Sequence, residues 1–151
     1  MKRCGNKPLA RFAFLAAITL GSWCCTAAAQ SSAPGPFAQD QVDSGRKTFA
    51  ENCAECHNKD LSGGSAPALA GKAFAGRWEN KTTAELYKFI QTTMPLCQGG
   101  ILGNSAYAEI VAFLLWANGA QPGTADFDGN TGVTIGTIVT GTVRPDLAKS
   151  K

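Results

Sequence analysis

Apolar and polar positions alternate in blocks of different rhythm along the chain, and each rhythm predicts an element. From Ala38 to Asn52, Val42, Gly45 and Phe49 recur at spacings of three and four, and Cys53 continues the same face, which predicts a helix. A second helix is announced by Thr82-Thr83-Ala84-Glu85, where Thr82 and Glu85 can satisfy each other's orphan backbone donors. Leu86, Phe89, Ile90 and Thr93 mark its face, and Pro95 ends it. The clearest helix runs from about Asn104 to Asn118, with Tyr107, Ile110, Val111 and Leu114 as its stripe and Gly119 as its C-terminal cap. Between the first two helices, Asn58 to Lys81 has no period and carries Gly63, Gly64, Gly71 and Gly76. An irregular stretch of that length inside a compact domain has to be packed on something. Beyond Gly119, residues 120–151 are rich in Gly and Thr without a helical period, which fits an arm lying over the domain, a short hairpin or a docking tail. The expected class is all-α, with about three main helices.

Candidate chemistry sits at the end of the first helix, in Cys53-Ala54-Glu55-Cys56-His57. Cys-x-x-Cys-His is the attachment signature of a c-type haem: two thiols three positions apart can each form a thioether to a vinyl group while the adjacent imidazole reaches the iron. His57 is the sole histidine of the chain. Apart from Met1 there is one methionine, Met94, placed 37 residues beyond His57 where the second helix breaks into a loop. Thioether sulfur suits haem iron, and a His/Met pair raises the reduction potential for electron transfer. The expected iron ligands are therefore His57 and Met94.

The layout of Cys-x-x-Cys-His, a Pro-Leu loop, Met-Pro and a C-terminal amphipathic helix resembles the class I cytochromes c of bacteria. More narrowly, Asn52 to His57, Asp60-Leu61-Ser62-Gly63-Gly64, Ala66-Pro67-Ala68-Leu69, Thr92-Thr93-Met94-Pro95 and Tyr107 to Leu115 resemble the cytochrome domains of quinoprotein alcohol dehydrogenases. The resemblance covers about Phe37 to Gly119. It implies one haem c bound through Cys53 and Cys56 and wrapped by the helices. It also implies that the Pro67 carbonyl accepts a hydrogen bond from the far nitrogen of His57 and that Leu69 packs on the porphyrin. Arg77 and Trp78 are expected at a propionate, and Gly45 with Phe49 at a close crossing of the first and last helices. The implied function is electron transfer from a quinoprotein dehydrogenase to a cytochrome or oxidase, with a freely diffusing carrier as the alternative.

The N-terminus changes the charge picture. Lys2, Arg3, Lys7 and Arg11 precede an apolar run from Phe12 to Gly21 and the small residues Ala27-Ala28-Ala29, the pattern of a secretory signal peptide cleaved near Ala29. The run is too short to span a bilayer. A lipid-modified Cys24 or Cys25 is the competing reading. Loss of residues 1–29 takes the net charge from +3 to −1, leaving 10 basic and 11 acidic residues. Nucleic acid and anionic membranes are thus not expected partners, and the expected location is the periplasm. Residues 30–37 read as a flexible leader, residues 38–119 as the cytochrome domain and residues 120–151 as an extension.

Three further readings stay open. Cys97 is left over, either buried or available for an intermolecular disulfide. Cys53, Cys56, His57 and Cys97 would together supply a zinc ligand set. Displacement of Met94 would turn the site toward a haem enzyme of peroxidase type or a sensor.

Overall fold

The computed structural model describes residues 33–147. In chain order it contains α1 (Gln39–Asn52), α2 (Ala54–His57), α3 (Lys72–Trp78), α4 (Thr83–Thr93) and α5 (Asn104–Ala117), followed by a single 3-10 turn at Ile135–Thr137. Among the described residues there is no β-strand, only isolated bridges at Pro34–Gln121 and Thr82–Thr134. The fold is all-α, as the apolar periodicity predicts.

The frame is the crossing of α1 over α5. Val42, Gly45 and Phe49 are the buried residues of α1, the same positions that carry its sequence period. A Cβ on Gly45 would collide with the Glu109 carbonyl of α5, so the helices approach backbone to backbone at this point. A glycine in a helix interior costs about 1 kcal/mol relative to alanine, and here it permits a contact that no other residue allows. One turn on, the Phe49 and Phe113 rings pack at 5.4 Å between centroids. The second helix, α4, starts on the expected capping box: Glu85 N–H donates to Thr82 Oγ1 and Thr82 N–H to the Glu85 carboxylate.

Two expectations need correction. The segment 58–81 is not irregular throughout, because Lys72–Trp78 forms α3 and buries Phe74 and Trp78. Seven residues with Gly76 inside are too few to display a period, and tertiary burial of two aromatics stabilises the helix. Nor are residues 33–37 a free leader: Phe37 is fully buried, Gly35 N–H bonds Gln121 O at 2.7 Å, and Gly123 N–H bonds Phe37 O at 2.7 Å. Burial of one aromatic ring, with two backbone bonds, outweighs the cost of ordering so short a stretch. The signal-peptide reading falls on residues 1–29, outside the described residues.

The extension after Gly119 is an arm over the domain. Phe127 is buried against Tyr87, and Gln41 of α1 holds its backbone from both sides, donating to Phe127 O and accepting from Phe127 N–H. Thr83 Oγ1 donates to Thr131 O and accepts from Val133 N–H, and Ile135 N–H bonds Lys81 O at 2.9 Å. The arm then returns to α5, where Arg144 donates to the carbonyls of Trp116 and Ala120, with its guanidinium 4.5 Å from the centre of the Trp116 ring. Arg46 of α1 lies 4.9 Å from the same ring and pairs with Asp146 at 2.8 Å.

Candidate functional site

On the other side of α5, α3, α4 and the loop after His57 enclose a cavity of about 790 Å³. Its wall is mainly apolar and includes Phe49, Leu69, Trp78, Phe89, Ile110 and Leu114. Cys53, Cys56, His57, Pro67, Arg77 and Met94 also line it, so every residue expected to hold or touch the haem borders this one space.

The short α2 presents Cys-x-x-Cys-His. Cys53 ends α1 and precedes α2, half-buried, while Cys56 is exposed, and neither is in a disulfide. Before haem is attached, burial, with the neighbouring Cys56 thiol adding to it, pushes the Cys53 thiol up to about 11. His57 is buried, with Nδ1 at 2.8 Å from Pro67 O. A carbonyl can only accept, so Nδ1 carries a proton, and in the neutral imidazole Nε2 is then the nitrogen with a free lone pair. That leaves one nitrogen able to bind a metal, and the bond from Nδ1 to the Pro67 carbonyl orients it.

The loop that carries Pro67 is folded back on the motif. Gly63 N–H bonds His57 O, Ala66 N–H bonds Cys56 O, and Leu69 N–H bonds Leu61 O at 2.9 Å. Gly63 has φ +82, and a Cβ there would lie 2.6 Å from Ala68 N, so glycine is required. Across the cavity, Met94 caps α4 in extended conformation, and Tyr107 Oη donates to its carbonyl at 2.8 Å. In the sequence Tyr107 stands only in the apolar stripe of α5; a buried tyrosine whose hydroxyl needs a partner is the signal for this second role.

Arg77 stands at the exposed edge of the wall, its guanidinium 5.4 Å from the Trp78 ring centre and 4.9 Å from that of Phe89. It therefore offers a cation at the cavity mouth. Leu96 and Ile101, 78% and 63% exposed, stand on the loop after Met94. The two stretches flanking the mouth, 61–71 and 89–108, contain no Asp, Glu, Lys, Arg or His.

Cys97 is exposed, which overturns its burial, and it has φ +66. Among the described residues no three His, Cys, Asp or Glu side chains converge as a metal site, so the zinc arrangement of Cys53, Cys56, His57 and Cys97 is not assembled.

Residues 40–114 match the family model described as cytochrome c oxidase, cbb3-type, subunit III. Among solved structures, the sulfane dehydrogenase SoxCD of Paracoccus pantotrophus is similar at 27% identity and a TM-score of 0.47, over 80% of this chain and 64% of that one. No curated protein matches the chain. A porphyrin fits the donor set and the wall: two thiols at thioether spacing, one imidazole with a free nitrogen, and an apolar cavity of adequate volume. The chain thus carries, in residues 40–114, an electron-transfer domain of the cytochrome c family, which holds one haem c covalently through Cys53 and Cys56.

Proposed function

We propose that this domain is a single-haem electron carrier whose iron is held by His57 Nε2 and Met94 Sδ, working in the periplasm between a dehydrogenase and a downstream cytochrome or oxidase. The observation that carries this reading is the His57 Nδ1 to Pro67 O bond, which leaves Nε2 as the free nitrogen of a side chain that lines the same cavity as Met94. Bound haem supplies one iron that alternates between ferrous and ferric. Cys53 and Cys56 keep it attached, and the carbonyl of Pro67 makes the His57 imidazole a stronger donor. Tyr107 fixes the backbone of Met94 so that its sulfur does not have to be ordered at each redox change. Phe49, Phe89, Ile110 and Leu114 exclude water, which together with methionine ligation favours a high potential.

The exposed Leu96 and Ile101 at the mouth support docking by a redox protein. Resemblance of the motif-bearing segments supports a quinoprotein alcohol dehydrogenase as the electron donor, and the description of the matching family supports an oxidase on the acceptor side. A signal peptide ending near Ala29 would deliver the chain to that compartment. The test is an optical spectrum of the matured protein beside Met94→Ala. The expected result is that the weak far-red band of methionine-ligated ferric haem disappears in the variant, the potential falls, and added imidazole binds readily. A wild-type spectrum that is already high-spin sinks the Met94 assignment and turns attention to ligand-binding chemistry.

A further inference from the structure

α5 ends in a residue that is polar and yet fully buried, Asn118. Its carboxamide is engaged at three points. Nδ2 donates to Leu69 O at 3.0 Å and to Leu114 O at 2.8 Å, and Oδ1 accepts from Gly71 N–H at 2.8 Å. Leu114 belongs to α5 itself, but Leu69 and Gly71 belong to the loop that runs from Pro67 to the start of α3. Behind Asn118, the arm closes the helix end: Thr140 N–H bonds Asn118 O and Arg144 N–H bonds Ala117 O, each at 3.2 Å. The chain of bonds therefore runs from the arm through Asn118 to the loop, and through the loop to the carbonyl that orients His57.

We propose that Asn118 is a positioning residue for the His57–Pro67 hydrogen bond. The proposal rests on the reading of His57 as an iron ligand. Only a carboxamide meets the site's demand for donor and acceptor at once. Aspartate would still accept from Gly71 but could not donate to Leu69, and leucine would do neither. With Leu69 and Gly71 released, Pro67 O drifts, the imidazole loses donor strength toward iron, the ferric state is less favoured and the potential rises.

The test compares holoprotein carrying Asn118→Leu with wild type and with Phe127→Ala, which loosens the arm at Tyr87, away from the loop. In the reduced protein, exchange of the His57 Nδ1 proton with deuterium should accelerate about tenfold in Asn118→Leu, the factor that one ordinary hydrogen bond accounts for. The potential should shift upward at the same time. Phe127→Ala should lower thermal stability and leave both readouts near the wild-type values. Equal shifts in the two variants, or none in Asn118→Leu, overturn the proposal.

If Asn118→Leu does not assemble, Asn118→Asp must show the faster exchange. In wild type the Gly71 amide must be protected, and exchange there at exposed-loop rates overturns the proposal without any variant. Absence from the wild-type reduced spectrum of the upfield ring protons of an iron-bound His57 has a different meaning: it overturns the ligand reading itself, and the proposal with it.

Discussion

α5 has two sides with different demands. Toward α1 it closes on protein, at Gly45 against the Glu109 carbonyl and at Phe113 against Phe49, whose ring also borders the cavity. Toward α3 and α4, Ile110 and Leu114 face a cavity of about 790 Å³ that only a cofactor can complete. The first side is a fit between two regular surfaces, so its determinants are periodic. The second is a fit between a loop and a flat apolar molecule, so its determinants are fixed points, two thiols, an imidazole and a thioether, set in backbone with little period. One helix thus couples a self-sufficient contact to a dependent one, and each can be broken separately.

The largest effect belongs to the dependent side. Replacing both Cys53 and Cys56 with alanine removes covalent attachment, and haem-stained denaturing gels should lose their band. Because haem binds the folded state and fills its core, circular dichroism should also show a chain without a cooperative thermal transition. A chain that kept its full helical signal and transition would mean that protein contacts suffice on both sides.

Next comes the self-sufficient side. Gly45→Ala gains helix propensity but forces a methyl group into Glu109, and the overpacking should leave a net loss of about 2 kcal/mol in denaturant unfolding of the holoprotein. The haem spectrum should be unchanged at low denaturant. A spectral change without a stability change would show that the two sides of α5 are not separable.

The smallest effect tests whether the arm adds to either side through its ion pair. Hydrogen bonding from Arg46, against a smaller effect of burial, holds the Asp146 carboxyl below its ordinary range. A depressed carboxyl stabilises the fold above its unfolded value, and that contribution is lost as pH falls through the folded value, so the loss lies in the acid range below about pH 4. Both side chains are about half exposed, which limits the pair to under about 1 kcal/mol. Asp146→Asn should therefore lower the melting temperature slightly at neutral pH and low salt. The difference should vanish in high salt or at acid pH, and a difference that survives both would assign it to packing.

How much could be read from sequence follows the same division. α1, α4 and α5 were legible from Val42-Gly45-Phe49, from the Thr82–Glu85 box and from the Tyr107–Leu114 stripe, because each element states its own period or cap. The cavity residues were legible because the motif names its chemistry. α3 was not, since its stability comes from burying Phe74 and Trp78 rather than from its seven residues alone. The arm was one of three readings of residues 120–151, but its seat was not legible: Ile135 N–H finds Lys81 O and Gly136 N–H finds Glu79 O, partners more than fifty residues away that leave no local trace. Asn118 left a faint one, a polar residue just before a capping glycine at the end of an apolar helix, whose loop partners only the fold reveals.

The uncharged stretches 61–71 and 89–108 on either side of the cavity mouth carry a kinetic consequence. A partner settling on Leu96 and Ile101 meets no field from these stretches, so the seat itself is made by apolar contact and steering comes from charges beyond them, such as Arg77 at the cavity mouth. Ionic strength, which screens those outlying charges, has none to screen within these stretches.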